Sequence, residues 1–486
     1  MIKEICVNGV YKNYVNGEWK VSESGNMIDI FSPIDGSKVG AVPAMSKEEV
    51  DEAIMAAKAA QKEWADVPLI ERAKLLNKVA FLLLDHQKEL ADIMVVEIAK
   101  DITSSLAEVK RTSDFILFTA DAAKQLKGEM LSADAFPGYG KDKVSFVNRY
   151  PLGTVLAISP FNYPVNLSVS KIAPAIVAGN TVVLKPPTQG SISALYLAKI
   201  FEMAGIPKGV FNTITGKGSE IGDYAVTHDD IDFINFTGST DVGRHISQIT
   251  VMKPLLMELG GKDAAIVLED ADLKEAAKDI VSGAFSYSGQ RCTAVKRVLV
   301  EDQVADELIG YIKERVEKLK TGDPRKADTV IVPLISDKAA DFVCELIDDA
   351  LEKGAKLLVG NKREKNLVYP TLIDHVTEDM RLAWEEPFGP VLPIIRVKDV
   401  KKAIEIANKS EYGLQSAVFT KNIDKAFNIA NELQVGTVQI NNKTERGPDH
   451  FPFLGVKSSG MGIQGIRYSI EAMTRVKAMV INYERN

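Results

Sequence analysis

The chain is poor in cysteine and histidine, and it lacks any long apolar run. Its three cysteines, Cys6, Cys292 and Cys344, are far apart in the sequence, and no two of them form a CxxC pair. This spacing argues against a disulfide framework and against a zinc site, so we expect no metal and a reducing, cytoplasmic compartment. No apolar stretch reaches the roughly 18–20 residues needed to span a bilayer. The polar residues within positions 1–17 argue against a signal peptide.

Positive charge is in the minority. Acidic residues outnumber basic ones by 66 to 59, which gives a net charge of -7. A surface with this balance repels nucleic acid and anionic membranes, so we expect neither as a partner. A small anionic substrate would therefore need a local cluster of positive charge. The apolar fraction of 46% is usual for a globular protein, and 486 residues are enough for two or three domains.

The rhythm of apolar residues changes along the chain. Residues 47–130 show helical periodicity, and Ser46 with Glu49 forms a capping-box pattern at the start. From Thr154 onward, short apolar strands alternate with helix-like segments, which is typical of a parallel sheet covered by helices on both faces. The strands of this first series are TVLAISP, TVVLKPP, VFNTITG and DFINFTG.

A second series of strands follows the ELGGK turn at 258–262. Its members are KDAAIVLED, VKRVLVED, AKLLVG, VLPIIRV, SAVFTK and GTVQINN. The sequence therefore predicts an α/β protein with two Rossmann-like, parallel-sheet domains that meet near this turn. The strand-like segments KVSFVNRY and AMVINYE predict a third, protruding β element made of residues 131–149 and 476–486.

Residues that follow the strands are candidates for chemistry, because open parallel sheets bind ligands beyond the carboxyl ends of their strands. After DFIN, Gly238 and Gly243 could let the backbone approach a phosphate. Ser239 or Thr240 could cap the next helix, whose free N–H groups attract anions. The alternative is an ordinary βα turn. Lys185 follows TVVL and precedes two prolines, and this position favours an anion ligand over a solvated surface lysine.

Cys292 lies among polar residues in SGQRCTA and is a candidate nucleophile; the alternative is a small buried hydrophobe. The neighbouring cation of Arg291 would lower the pKa of the thiol and increase its thiolate fraction. Glu258, in MELGGK, is a candidate general base or else a surface carboxylate, and Asn162, in SPFNYP, could donate to an oxyanion. A cysteine hydrolase is disfavoured, because none of the five histidines lies in a motif suited to pair with Cys292.

Taken together, these segments resemble the aldehyde dehydrogenase superfamily. The matching strings, in the family's order, are SPFNYP, KPPTQGS, FTGST, MELGGKD, SGQRCTA, EEPFGPV and FPFLGVKSSGMG, and the resemblance covers the chain from about residue 12. It implies that Cys292 forms a thioester with the aldehyde, that Asn162 and the Cys292 N–H hold the oxyanion, and that Glu258 activates the hydrolytic water. Phe161 stands where the family usually has tryptophan.

The resemblance also implies a dinucleotide site and a role for each domain. Residues 1–130 and 150–258 would form the cofactor-binding domain and 259–475 the catalytic domain. Residues 131–149 and 476–486 would join subunits into a homodimer or homotetramer. The positions that match the family's cofactor contacts are Ser159, Pro160, Phe161, Lys185, Thr188, Gly216, Gly222, Thr237, Gly238, Ser239, Gly243, Leu259, Glu386 and Phe388.

Thr188 bears on the choice of cofactor, because members that prefer NAD often carry glutamate at this position. Without that carboxylate, nothing there repels a 2′-phosphate, and Lys185 and Thr188 can both donate to it. NADP is therefore favoured over NAD.

Within the superfamily, the chain is most similar to the non-phosphorylating, NADP-dependent glyceraldehyde-3-phosphate dehydrogenases, through strings such as YSGQRCTAVKRVLV and INNKTERG. The resemblance implies oxidation of D-glyceraldehyde 3-phosphate to 3-phosphoglycerate without inorganic phosphate. Two alternatives stay open: a dehydrogenase of another anionic aldehyde, such as a semialdehyde, and a non-catalytic structural homologue. Arginine suits a phosphate, and the positions that match the substrate site are Arg111, Tyr163, Arg291, Thr293 and Arg446.

Overall fold

The computed structural model of the protein describes residues 2–483, so residue 1 and the last three residues of the predicted 476–486 segment lie outside the described residues. The helices are α1 (Ile2–Ile5), α2 (Lys47–Asp66), α3 (Leu69–Asp85), α4 (Gln87–Ile98), α5 (Ile102–Ala123), α6 (Asn166–Ala178), α7 (Ser191–Ala204), α8 (Asp223–Thr227), α9 (Thr240–Ile249), α10 (Leu273–Phe285), α11 (Asp302–Val316), α12 (Asp337–Glu352), α13 (Val400–Lys409), α14 (Ile423–Glu432) and α15 (Ile466–Ala472). The strands are β1 (Cys6–Val7), β2 (Val10–Tyr11), β3 (Asn13–Val15), β4 (Glu18–Lys20), β5 (Met27–Phe31), β6 (Lys38–Pro43), β7 (Glu129–Ser132), β8 (Lys143–Pro151), β9 (Thr154–Ile158), β10 (Thr181–Lys185), β11 (Phe211–Thr213), β12 (Phe233–Thr237), β13 (Leu255–Glu258), β14 (Ala264–Val267), β15 (Arg297–Glu301), β16 (Lys356–Val359), β17 (Arg363–Glu364), β18 (Leu367–Val368), β19 (Thr371–Asp374), β20 (Val391–Val397), β21 (Tyr412–Gly413), β22 (Gln415–Phe419), β23 (Thr437–Ile440), β24 (Val456–Lys457), β25 (Gly460–Met461) and β26 (Thr474–Asn482).

Helices α2 to α5 occupy the region predicted to be helical at 47–130. The prediction is wrong at its end, because α5 stops at Ala123 and β7 begins at Glu129. The capping box is confirmed: Ser46 Oγ accepts from the Glu49 N–H, and the Glu49 carboxylate accepts from the Ser46 N–H at 2.7 Å. The apolar face of α2 ends in Trp64, which is buried and donates its indole N–H to the Ile176 carbonyl at 3.0 Å.

The first sheet brings the carboxyl ends of five strands to one edge. Its order is β11-β10-β9-β12-β13-β25, and only β25 is antiparallel to its neighbour. The register pairs Ile158 with Lys185 and Thr237 with Glu258, so the residues at these strand ends lie side by side. The central strands are buried on both faces, which is why they read as near-continuous apolar runs.

The second sheet has the order β16-β19-β20-β15-β14-β22-β23, and β16 is antiparallel at its edge. The ELGGK turn separates β13 of the first sheet from β14 of the second. The predicted α/β class with two mainly parallel sheets is therefore confirmed. Strand β19 was absent from the prediction.

The third sheet, β26-β8-β7, lies apart from the two large ones and is mostly exposed. Its longest pairing joins all nine residues of β26 to β8, from Thr474 with Pro151 to Asn482 with Lys143. The two predicted strand segments thus pair with each other. Across residues 2–483, no helix combines the length and the apolar character needed to cross a membrane.

Candidate active site

The strand ends of the first sheet border a cavity of about 790 Å³. Most of the predicted cofactor and catalytic residues line it: Ser159, Pro160, Phe161, Asn162, Lys185, Gly222, Thr237, Gly238, Ser239, Leu259, Cys292, Glu386 and Phe388. Three predicted cofactor residues, Thr188, Gly216 and Gly243, are outside this lining. The sequence analysis missed other lining residues, among them Gly218, Ser219, Val242 and His245.

One part of the cavity is suited to anionic groups. Ser239 caps α9, whose N-terminus faces the cavity, and its hydroxyl accepts from the Val242 N–H. The Lys185 side chain lines the same cavity, and within residues 2–483 its one hydrogen bond is a long one of 3.5 Å to the Pro186 carbonyl. Burial lowers the pKa of Lys185 to about 8. A buried ammonium without a carboxylate partner beside a helix N-terminus fits the phosphates of a dinucleotide.

Gly243 has a packing role in addition to the one expected from the sequence. A Cβ at this position would come within 2.4 Å of Leu259 Cδ2. The glycine therefore lets α9 pack closely against Leu259, and the approach of its backbone to a ligand stays a prediction. Leu259 itself lines the cavity.

A turn of unusual conformation presents Cys292. Three consecutive residues before it, Tyr287, Ser288 and Gly289, have left-handed backbone angles with φ of 51°, 54° and 70°. For non-glycine residues this conformation costs of order 1–3 kcal/mol each, so surrounding contacts must hold it. Ser288 Oγ supplies them by donating to the Val332 carbonyl at 2.8 Å and accepting from its N–H at 2.7 Å.

The same turn brings Asn162 next to the nucleophile. Asn162 Nδ2 donates to the carbonyl of Gln290, two residues before Cys292, at 2.9 Å. This bond uses one amide hydrogen and leaves the other available for an oxyanion. Strand β9 and the turn after α10 therefore place an amide and a thiol at one end of the cavity.

The expectation that a neighbouring cation increases the thiolate fraction of Cys292 is wrong for this state of the protein. Burial raises the pKa of the thiol to about 11; Lys296 acts to lower it, whereas Glu258 and Glu386 raise it further. Arg291 is not among the main charges that shift this pKa; its guanidinium donates to the Gly283 carbonyl.

Lys296 is the cation that the sequence analysis missed. Its side chain is 2% exposed, and its ammonium donates to the Cys292 carbonyl and lies 2.9 Å from Glu386 Oε1. The feature of the sequence that could have indicated Lys296 was its position, four residues after the candidate nucleophile. Lys296 links the nucleophile's backbone to a residue that lines the cofactor cavity.

Glu258 ends β13 within a network of donors. Its Oε2 accepts from Thr237 Oγ1 at 2.6 Å and lies 3.6 Å from Lys171 Nζ, while Arg446 Nη1 donates to Oε1 at 2.8 Å. Burial lowers the pKa of Lys171 to about 8, although Glu258 acts against this shift. The sequence analysis missed Lys171; a single charge within the apolar helix NLSVSKIAPAIVA was the signal for it.

The predicted substrate residues Arg111 and Arg446 are brought together from 335 positions apart. Arg111 Nη2 donates to the Arg446 carbonyl at 2.9 Å. Asp449, which was not predicted, accepts two hydrogen bonds from Arg111 at 2.7 Å and lies 3.7 Å from Arg446 Nε. Arg446 and Asp449 also line a second cavity of about 290 Å³, together with Phe451 and Phe453.

The other predicted substrate residues flank the nucleophile. Arg291 Nε is buried and has no hydrogen-bond partner among the described residues. Thr293 is buried, and its carbonyl accepts from Thr444 Oγ1 at 2.9 Å. An unpaired guanidinium nitrogen one residue from Cys292 supports a site for an anionic substrate.

A buried ion pair lies under the loop that carries Asn162 and Tyr163. Lys100 Nζ is 2.5 Å from Glu108 Oε2, and both side chains are 0% exposed. The ammonium donates to the Asn162 carbonyl at 3.0 Å and lies 3.4 Å from the centre of the Tyr163 ring. Glu108 Oε1 accepts from the Asn166 N–H at 2.9 Å, so the pair fixes the loop from both sides.

Comparison with known proteins identifies the group to which this arrangement belongs. Residues 19–479 match the profile described as "Aldehyde dehydrogenase family", and the chain belongs to that family. It is 58% identical over 473 residues to the NADP-dependent glyceraldehyde-3-phosphate dehydrogenase of Streptococcus equinus, covering 97% of this chain and 98% of the relative. The protein of that name from Pisum sativum is 51% identical over 484 residues, covering 99% and 97%.

A solved structure agrees over the same extent. The NADP-dependent glyceraldehyde-3-phosphate dehydrogenase from Bacillus halodurans C-125, complexed with NADP, superposes with a TM-score of 0.96. The two sequences are 55% identical, and the match covers 97% of this chain and 99% of that one. The resemblance expected from the sequence motifs is confirmed.

The buried thiol gives a prediction about reactivity. Because the pKa of Cys292 is raised to about 11, the thiol is protonated at neutral pH, and the thiolate fraction at pH 7 is about one in ten thousand. In a background with Cys6→Ser and Cys344→Ser, we expect alkylation by iodoacetamide to accelerate about tenfold per pH unit from pH 7 to 10. Lys296→Met should slow it, whereas Lys217→Met, at an exposed site, serves as control. A plateau below about pH 9 would contradict the assignment.

Proposed function

We propose that the protein oxidises D-glyceraldehyde 3-phosphate to 3-phosphoglycerate, with NADP as cofactor and without inorganic phosphate. The observation that carries the proposal is the convergence of Cys292, Asn162 and Glu258 near one cavity with the arginine pair Arg111 and Arg446 beside them. The close relatives that carry the corresponding name support it.

The reaction follows from the placement of the side chains. The Cys292 thiol loses its proton to solvent and the resulting thiolate adds to the aldehyde carbon, while the Asn162 amide and the Cys292 N–H donate to the oxyanion. Loss of hydride from that carbon leaves a thioester on Cys292. Glu258 accepts a proton from water as the water oxygen attacks the thioester, and the thiolate leaves. The net change is that one aldehyde and one water become one carboxylate, one hydride and two protons.

The cavity along the first sheet is suited to the phosphate groups of a dinucleotide. NADP, when bound, supplies the acceptor for the hydride that the substrate carbon loses. The α9 N-terminus with Ser239 would hold the pyrophosphate, and Lys185 would hold the 2′-phosphate. Glu386 and Phe388 line the same cavity as Cys292 and would hold the nicotinamide half of the cofactor.

The domain roles and the assembly belong to the same proposal. The sheet that ends at Glu258 would bind the cofactor, and the sheet that begins at Ala264 would carry the nucleophile. The exposed strands β7, β8 and β26 present apolar side chains to the surface, including Met130, Phe146 and Met479. These strands would pair or pack between subunits of a homodimer or homotetramer. The cytoplasmic location stays a prediction.

The reaction is tested by product analysis. With NADP and glyceraldehyde 3-phosphate in phosphate-free buffer, we expect NADPH and 3-phosphoglycerate in equal amounts, because water is the acyl acceptor. Cys292→Ser should abolish turnover. If succinate semialdehyde were the better substrate in a parallel assay, the enzyme would be a dehydrogenase of another anionic aldehyde. Failure to reduce NADP or NAD with any aldehyde would favour a non-catalytic homologue.

The cofactor preference is tested at Lys185. We expect Lys185→Met to weaken NADP binding by about 1.5–3 kcal/mol and NAD binding less, because only NADP carries the 2′-phosphate. NADP affinity should also fall as pH rises above about 8, where the free ammonium loses its proton, and the variant should lose this dependence. Isothermal titration calorimetry measures both, with Lys318→Met, at an exposed lysine paired with Glu314, as control. Equal weakening of the two cofactors would place Lys185 away from the 2′-phosphate.

The phosphate site is tested by substrate selectivity. Arg111→Gln should lower kcat/KM for glyceraldehyde 3-phosphate by about tenfold or more, since a charge-assisted bond contributes about 1.5–3 kcal/mol. The loss for unphosphorylated glyceraldehyde should be much smaller. Arg467→Gln, at an exposed arginine paired with Glu471, is the matched control. Losses of equal size for both substrates would contradict the phosphate role.

A further inference from the structure

We propose that Arg446 is exchanged between Glu258 and the substrate phosphate, so that a bound phosphate releases the base that hydrolyses the thioester. This inference rests on the proposed function, because it takes Glu258 as the base and Arg446 as a phosphate ligand. It adds a link between two steps that the proposed reaction leaves independent: recognition of the phosphate and attack by water.

Glu258 is held in a closed arrangement in this structure. Arg446 Nη1 donates a hydrogen bond to Glu258 Oε1 at 2.8 Å, and Thr237 Oγ1 donates one to Glu258 Oε2 at 2.6 Å. The side chains of Glu258 and Arg446 are only 5% and 12% exposed, so the ion pair is weakly screened by water. A proton accepted on Oε1 in this state would remove the attraction between the two charges. The base is therefore paired with a cation at the oxygen that it would use.

The guanidinium of Arg446 also contacts three other protein groups. Its Nη2 donates to Gln464, its Nε lies 3.7 Å from Asp449 Oδ1, and its guanidinium lies 4.9 Å from the centre of the Phe453 ring. Each guanidinium nitrogen thus has an acceptor or a carboxylate near it. A phosphate can therefore accept two hydrogen bonds from this guanidinium only by replacing one of these partners.

The carboxylate of Glu258 is the partner best replaced. A phosphate monoester carries about -1.5 to -2 charges at pH 7 and three acceptor oxygens, so it attracts a guanidinium more strongly than a carboxylate does. Glu258 would not be left as an isolated buried charge, because Thr237 and Lys171 remain at Oε2. The exchange removes the hydrogen bond to Glu258 Oε1, whereas the contacts of Glu258 Oε2 are kept.

Arg111 makes the exchange specific for an anion at the right position. It contacts the Arg446 carbonyl and shares Asp449 with Arg446, and its hydrogen bonds to the described residues do not include Glu258. A phosphate on Arg111 is therefore next to the guanidinium of Arg446. An aldehyde without a phosphate leaves the Arg446–Glu258 pair closed, and its thioester should hydrolyse slowly.

The exchange is tested by supplying substrate and phosphate as separate pieces. Wild-type enzyme with NADP and unphosphorylated glyceraldehyde is followed in single turnovers, and quenched samples are analysed by intact-protein mass spectrometry for the glyceroyl thioester on Cys292. Inorganic phosphite, a small oxyanion that cannot become part of the product, is added in increasing concentration. We expect the decay of the thioester to accelerate by about tenfold or more at saturating phosphite.

Variants separate release of the base from binding of the anion. Arg446→Gln should make thioester decay independent of phosphite and faster than wild-type decay without phosphite, because no cation holds Oε1. Arg446→Lys keeps a charge beside Glu258 and should return the decay toward the slow value. Arg111→Gln should still respond but need more phosphite, and Arg467→Gln should match the wild type.

The outcomes distinguish this inference from the proposed function. If the wild type showed no preference for glyceraldehyde 3-phosphate over glyceraldehyde, the proposed function itself would fail. If the preference held but phosphite left thioester decay unchanged, the exchange would be overturned and the phosphate site would serve binding alone. Slower decay in Arg446→Gln would also overturn it, since the arginine would then assist the base.

Discussion

The ion pair between Lys100 and Glu108 is the contact on which the rest of the site depends. Removing two charges from water costs several kcal/mol per ion, so the pair persists only because further polar groups surround it. Those groups are the Asn162 carbonyl, the Tyr163 ring and the backbone N–H groups of residues 165–166. Removal of one charge alone would leave the other uncompensated, at a cost of about 3–5 kcal/mol. Asn162 and Tyr163, the residues proposed to hold the oxyanion and the substrate, thus share one buried anchor.

Several lysines are buried in a chain with an acidic excess. The net charge is -7, yet Lys171, Lys185, Lys262 and Lys296 are all buried, alongside a similar number of basic and acidic groups in the interior. Burial lowers the pKa of Lys262 well below its usual value and the pKa of Lys171 and Lys185 to about 8. Lys185 lines the cavity, where it gives an anionic cofactor a local attraction that the net charge of the chain does not provide.

The sequence predicted those site residues that follow strands, because the carboxyl ends of parallel strands meet at one edge. Asn162, Lys185, Ser239 and Glu258 all lie there. It did not reveal Asp449, whose contact with Arg111 joins residues 338 positions apart, since nothing local marks such a pair.

Two other differences have separate causes. The pKa of Cys292 was misjudged because burial outweighs a charge that is adjacent only in sequence. The packing of Gly243 against Leu259 was not predicted, because such a long-range contact leaves no local mark in the sequence.

The two groups proposed for the hydrolytic step belong to different sheets. Glu258 ends a strand of the first sheet, whereas Cys292 precedes a strand of the second, and residues 259–263 join β13 to β14. Any rocking of one sheet against the other would change the distance between the Glu258 carboxylate and the Cys292 sulfur, so the angle between the sheets would set when the proposed hydrolysis can occur.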